Sequence, residues 1–261
     1  DVARAVAEAE IAAAMTAGRD LDSAALMTAL RTAKRRAALA IALGDVAGAL
    51  DLDGVTGLLT RLADAALQAA LHAALKAETA SGRFLPADPS DPARDSGLIV
   101  LAMGKYGAFE LNYSSDIDFT VFFDGDILPV APGIEPVPFL VRVVKSVVKA
   151  LQERTGDGYV FRTDLRLRPD AGATQVAIST AVAALYYEGM GQNWERAAMI
   201  KARAAAGDIP AGEAFIAELR PFVWRKYLDF AAVEDIQSIK RQINAHKGGS
   251  EVAVAGHDVK L

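Results

Sequence analysis

The sequence predicts an α+β protein: a small mixed sheet core set between two mainly helical units. Three observations carry this. The first third is rich in alanine and free of proline through residue 43; two short, fully apolar runs then follow at 98–103 and 117–123; and the chain returns to helical patterning from Ser179 onward. With 261 residues, 52% hydrophobic and 23% charged, the chain can bury a substantial core and lies far from disordered composition.

Residues 2–43 read as two or more helices, punctuated by Gly44-Asp45. From Val55 to Ala80, the residues Leu58, Leu59, Leu62, Ala66, Leu67, Ala70 and Leu71 recur at three- and four-residue spacing, the stripe of an amphipathic helix. Segment 81–97 is crowded with proline, glycine and aspartate, which break helix and strand alike, and is the best candidate boundary. The expected units are therefore 1–96, a helical unit, 97–178, the sheet core, and 179–261, a second helical unit placed against the core.

Within the core, Leu98–Met103 closed by Gly104 reads as a buried strand, and Ile117–Phe123, ended by Asp124-Gly125-Asp126, as another. Phe139–Arg154 has helical period. Tyr159–Arg168 alternates strictly, predicting a strand with Val160, Arg162, Asp164, Arg166 and Arg168 on one face. Beyond it, Ser179 or Thr180 is expected to cap one helix and Asn193 the next, which runs through Arg196 and Arg203, followed by helices over 211–228 and 232–246.

Composition excludes several chemistries. The chain has no cysteine, so there is no thiolate nucleophile or cysteine-built metal centre, and its three histidines are too widely spaced for a HExxH helix. Any metal is expected to be oxygen-ligated Mg²⁺ or Mn²⁺. A net charge of −5, evenly spread, argues against nucleic acid as a partner. The start shows no signal-peptide pattern and no run is long and apolar enough for a membrane span, so a cytoplasmic protein without a membrane partner is expected.

Carboxylates are the remaining candidates. Asp116 and Asp118 lead into the second strand, where period-two geometry puts both on one face about 6.6 Å apart along the chain. Such a pair can bridge two Mg²⁺ ions, which clamp the attacking and leaving oxygens of an in-line phosphoryl or nucleotidyl displacement. Asp164 would complete the site if the two strands are neighbours; alternatively it forms an ion pair with Arg162, Arg166 or Arg168. Three other Asp-x-Asp pairs, 20/22, 51/53 and 124/126, fit caps or turns. Gly104-Lys105-Tyr106-Gly107 follows a strand, as phosphate-cradling loops do, or is an ordinary exit turn. Arg196 and Arg203, with Lys201 to the side, are either a phosphate-facing set or a solvated helix face.

The run Met103-Gly-Lys-Tyr-Gly-Ala-Phe-Glu-Leu-Asn-Tyr-Ser-Ser-Asp-Ile-Asp-Phe119 closely resembles the signature GMGKLGG-x-ELN-x-SSDIDL of the large bacterial enzymes that adenylylate and deadenylylate glutamine synthetase. Further matches follow in order: Phe161–Pro169, Trp194–Arg203, Gly207-Asp208 and Pro221–Phe230. The WER…IKAR form is similar to the N-terminal, adenylyl-removing half of that family rather than to its C-terminal half. The resemblance implies a nucleotidyltransferase-type core and phosphorolysis of AMP from a glutamine synthetase tyrosine, releasing ADP. It implies two Mg²⁺ ions on Asp116, Asp118 and Asp164, with Gly104 and Lys105 along the phosphates and Ser114 and Ser115 supporting the loop. Arg166, Arg168, Arg196, Lys201 and Arg203 become candidates for phosphate or AMP contacts, ADP, ATP and phosphate are expected substrates or products, and glutamine synthetase and the nitrogen-signalling PII protein are expected partners. Tyr106 and Ala108 depart from the family's leucine and glycine, and the segment after Pro169 departs from its glycine-rich turn. Two other readings stand beside this one: forward adenylyl transfer from ATP, and a regulatory module that binds nucleotide without turnover.

Overall fold

A computed structural model describes residues 2–224. The helix expected over 232–246, and the part of the 221–230 match beyond residue 224, lie outside the described residues.

Three long helices come first: α1 (Val2–Asp20), α2 (Ser23–Val46) and α3 (Leu52–Ala80). Asp22 caps α2, accepting from the amides of Ala24 and Ala25 at 3.0 and 2.9 Å, and Asp51 caps α3 through Gly54 N at 2.8 Å. Alanine makes the close approach possible. A Cβ on Gly18 of α1 would lie 2.5 Å from the Ala69 backbone of α3, so only hydrogen fits there.

The sheet is mixed. Strand β1 (Leu98–Ala102) is central, antiparallel to β2 (Ile117–Phe123) on one side and to β5 (Arg203–Gly207) on the other. The outer edge of β2 carries two short parallel partners end to end, β3 (Thr163–Asp164) and β4 (Ala177–Ser179). Between β1 and β2 lies a one-turn helix, α4 (Gly104–Gly107), and α5 (Pro136–Gln152) makes the crossover from β2 to β3. Helices α6 (Thr180–Gly189), α7 (Asn193–Met199), α8 (Ile209–Glu218) and α9 (Arg220–Val223) complete the described chain. This is the α+β class expected from the sequence.

Side-chain alternation assigns the two faces. Leu98, Val100 and Ala102 of β1, with Phe119, Val121 and Phe123 of β2, join a core shared with α3 and α5, and that core continues into α1 and α2. Ile99, Leu101, Met103 and Phe122 enter a second cluster with Tyr187 of α6, Met199 of α7, Phe215 of α8 and Phe222 of α9.

Several expected boundaries are corrected. Helix α2 runs through Gly44-Asp45 to Val46, and α5 starts at Pro136, since proline is well suited to a first helical turn. The strand expected over Tyr159–Arg168 shrinks to two residues. The amides of Val160 and Phe161 are committed to the Leu151 carbonyl at the end of α5, and Arg166 N turns back to its neighbour Asp164. The helix expected from Asn193 through Arg203 stops at Met199, and Gln192, not Asn193, is its N-cap, in a capping box with Glu195. Arg203 instead begins β5, filling the edge of β1 that would otherwise leave backbone groups unpaired. The helix expected over 211–228 begins at Ile209, capped by Asp208, and breaks at Leu219, with Pro221 in the first turn of α9.

Candidate active site

Residues 118, 120 and 122 share one face of β2, Asp116 lies just before the strand, and burial grades along this run. Phe122 sits in the second core, Thr120 is buried, Asp118 is half-buried and Asp116 is exposed. The acids thus lie where this face runs out of covering helices. Asp118 and Asp164 are direct partners in the parallel β2/β3 register, next to the pair Ile117 and Thr163. Register alone brings a carboxylate from a distant segment beside the Asp116/Asp118 pair, and Gln152 of α5 fixes it there by accepting from Thr163 N at 3.2 Å and Thr163 Oγ1 at 2.8 Å.

The turn after β1 approaches the same edge. Met103 N donates to the Asp118 carbonyl at 2.9 Å. Gly104 adopts φ +54°, and a Cβ there would sit 3.0 Å from Asp118 Oδ2, so glycine serves both the backbone conformation and the approach to the acid. Lys105 is exposed beside it.

The three acids have different environments. Burial pushes the Asp118 carboxyl up to about 6, helped by the charges of Asp164 and Asp116 and opposed by Arg166 and Lys105. Asp164 is held below the ordinary carboxylate range, chiefly by hydrogen bonds from the Arg166 guanidinium, whose Nη2 lies 2.5 Å from Asp164 Oδ2 and whose Nε lies 3.0 Å from Oδ1. Asp116 Oδ1 accepts from Arg162 Nε, while Arg162 Nη2 donates to the Ser114 carbonyl at 2.8 Å. Ser114 and Ser115 are organised by Asn112: its Oδ1 accepts from Ser114 N at 3.1 Å and Ser115 Oγ at 2.9 Å.

The donor set suits a hard divalent cation: three carboxylates at one edge, one of them destabilised by the negative charge of the others. In the present arrangement, Arg162 and Arg166 occupy Asp116 and Asp164, and no group of three acids among the described residues converges as tightly as one ion requires. A cation would therefore enter by exchange with a guanidinium.

The basic candidates separate sharply. Arg166 is largely exposed at the acids, so it can both neutralise them and turn toward an anion. Arg168 is instead spent on backbone carbonyls, those of Leu165 at 2.6 Å, Ala171 at 2.9 Å and Thr174 at 3.2 Å. It thereby orders the turn after Pro169, in which Asp170 takes a positive φ. Arg196 donates to the Phe222 carbonyl at 2.8 Å and to Asn193 at 2.6 Å, Lys201 pairs with Glu110 at 2.6 Å, and Arg203 pairs with Asp64 of α3 at 2.9 Å. Asn112 and Gln152 are not among the sequence candidates. In the sequence Arg162 reads as a partner of Asp164 or, with Arg166 and Arg168, as an arginine suited to phosphate; it pairs with Asp116, because Ile117 N bonds the Arg162 carbonyl and so brings the two residues side by side.

Comparison with known proteins places these residues in context. The family model for glutamate-ammonia ligase adenylyltransferase matches residues 2–218. Curated relatives named bifunctional glutamine synthetase adenylyltransferase/adenylyl-removing enzyme include one from Bradyrhizobium diazoefficiens, 57% identical over 92% of this chain and 24% of the relative. Another, from Rhodopseudomonas palustris strain HaA2, is 55% identical over 99% of this chain and 26% of its own length. A third, from Xanthobacter autotrophicus, is 54% identical over 97% and 25%. The chain thus spans about a quarter of the length of these relatives.

Proposed function

Given that the chain belongs to the glutamate-ammonia ligase adenylyltransferase family, we propose that it is a Mg²⁺-dependent nucleotidyltransferase unit that removes AMP from the adenylylated tyrosine of glutamine synthetase by phosphorolysis. One observation carries the reading: Asp118 and Asp164 are register partners on neighbouring strands, with Asp116 just before β2 and Gly104 close against Asp118.

In the reaction, an oxygen of inorganic phosphate attacks the phosphorus of the AMP–tyrosine phosphodiester. The bond from phosphorus to the tyrosine oxygen breaks, giving ADP, and the phenolate leaves to take a proton from water. No protein nucleophile is required; positioning and charge neutralisation supply the acceleration. Asp116, Asp118 and Asp164 would hold the metal, which when bound offsets charge on the phosphate oxygens. Arg166 releases Asp164 and turns its fork toward phosphate, for which guanidinium geometry is suited. Lys105, at the lip of the glycine turn, adds a second cation on the same side. Ser114 and Ser115 set the height of the loop that carries Asp116.

Phosphorolysis, rather than adenylyl transfer from ATP, rests on the WER…IKAR form of residues 194–203. The relatives' name covers both directions, so forward transfer is the second reading. PII as a partner belongs to the same proposal, on the family resemblance, as does a cytoplasmic location, on the lack of a signal pattern or long apolar run in the sequence. No helix of the described residues is long and apolar enough to cross a membrane.

The test incubates the chain with adenylylated glutamine synthetase, Mg²⁺ and phosphate, and follows ADP, with an ATP arm on the unmodified enzyme. ADP that depends on added phosphate supports the proposal. Adenylylation in the ATP arm overturns the assigned direction, and silence in both arms rejects autonomous catalysis in favour of a binding module.

A further inference from the structure

Arg203 resembles a phosphate ligand in sequence, but its surroundings give it another task. In the β1/β5 register it lies opposite Ala102, the last residue before the Met103-Gly104 turn. Its guanidinium stacks 4.3 Å from the ring centroid of Phe109, just after α4, and 5.6 Å from that of Tyr106, within α4, and donates through Nη2 to Asp64 Oδ1 of α3 at 2.9 Å. Both ends of the ion pair are mostly buried, with side-chain exposures of 25% and 17%. A cation in such a place is strongly committed to its partner.

The turn itself is fastened to the segment that leads into β5. Gly107 packs so closely that a Cβ would be 1.9 Å from the Lys201 carbonyl, Lys201 Nζ reaches Glu110 Oε2 at 2.6 Å, and Glu110 N donates to the Lys105 carbonyl at 2.8 Å. Phe109 adopts a left-handed φ of 60°, which a bulky residue takes only when neighbours enforce it. Tyr106, where the family has leucine, is fully buried. Burial and nearby Asp64 hold its phenol well above the ordinary tyrosine range. Its hydroxyl interacts with both Asp64 and Arg203, so the phenol belongs to the same buried polar group as the ion pair.

We propose that Asp64 and Arg203 are positioning residues, through which helix α3 holds the Gly104–Gly107 turn and Lys105 against the carboxylate edge. The long helical unit then takes part in the site by fixing where a phosphate-facing cation stands. The activity side of this inference rests on the proposed phosphorolysis; the structural side does not.

Hydrogen exchange followed by mass spectrometry on the full chain tests it, with Asp64→Asn, Arg203→Met and the double variant. Segment 104–110 is expected to exchange about tenfold faster in each, with no further increase in the double variant, while α5 and β2 keep wild-type rates. In turnover assays the KM for inorganic phosphate rises about tenfold and that for the adenylylated protein is unchanged. Should either variant fail to fold, Phe109→Leu removes only the stacked ring and carries the same local expectation. Unchanged exchange in 104–110, or acceleration spread evenly over the chain, overturns the proposal. Local loosening in a chain whose wild type shows neither phosphorolysis nor transfer leaves the positioning role standing and removes the proposed function.

Discussion

Under the proposed function, Asp118 places activity and stability in opposition. Its carboxyl titrates near 6 in the folded chain against an ordinary 3.8, so the folded state holds the proton more tightly than the unfolded state. Stability is therefore unaffected by this group below about pH 3.8 and falls as pH rises through about 6. Asp118→Asn is expected to raise stability at pH 7 by about 1 kcal/mol, a figure reduced for the solvent that still reaches the carboxylate, and to abolish turnover. Denaturant melts at pH 4 and 7 check this: a gain at pH 7 that disappears at pH 4 is the signature, and equal stabilities at pH 7 contradict it. Asp116 offers a second measurement. Because Arg162 competes with any cation for this carboxylate, Arg162→Gln should tighten Mn²⁺ binding severalfold in a paramagnetic titration. Weaker binding would mean that Arg162 holds Asp116 in place for the metal rather than against it.

The crossover helix α5 delivers Asp164, and its C-terminus is closed from outside by Arg31 of α2. This arginine is 1% exposed and donates to the carbonyls of Gly158 at 2.9 Å, Met27 at 2.8 Å, Ala150 at 3.1 Å and also Glu153. A cation here answers the negative end of the helix and the carbonyls its last turn leaves unpaired. Arg31→Met keeps the stem and strands those acceptors, so a loss of about 3 kcal/mol is expected, with activity falling as β3 loosens. Wild-type stability in a chemical melt would show that water replaces the guanidinium. Elements like this mark the limit of what sequence could give. The β1 and β2 runs and the α3 stripe were legible because burial on them follows a local period, and Asp116/Asp118 because strand geometry is local too. Strand β5 was not: Arg-Ala-Ala-Ala-Gly has helical propensity, and only the open edge of β1 makes it extended. The same error put Arg203 on a helix with Arg196. Asp164 lay between two readings: the structure shows the strand register with Asp118 that the first requires, and the ion pair with Arg166 that the second names.

Over the whole molecule, the division suggested by the proline-rich segment 81–97 meets a core that does not stop there. Leu67, Leu71 and Leu75 of α3 belong to the same buried cluster as Val100, Phe119 and Val121 of the sheet and Phe139, Val143 and Val147 of α5. Gln68 of α3 donates to the Ala205 carbonyl at 2.8 Å, and Asp64 reaches Arg203, so polar contacts cross the same boundary. Removing the helices would uncover one face of the sheet, and exposed apolar area is unfavourable by about 25 cal/mol for every Å² returned to water. Two units that share a core in this way cannot melt in sequence without one of them standing half-dressed in water. Thermal unfolding of the full chain is therefore expected to be one cooperative transition, with calorimetric and van't Hoff enthalpies equal. A chain beginning at residue 97 should in turn lack a sharp transition and bind a hydrophobic dye. Two resolved transitions in the intact chain, or a cooperative fold in the shortened one, would show that the sheet carries its own core.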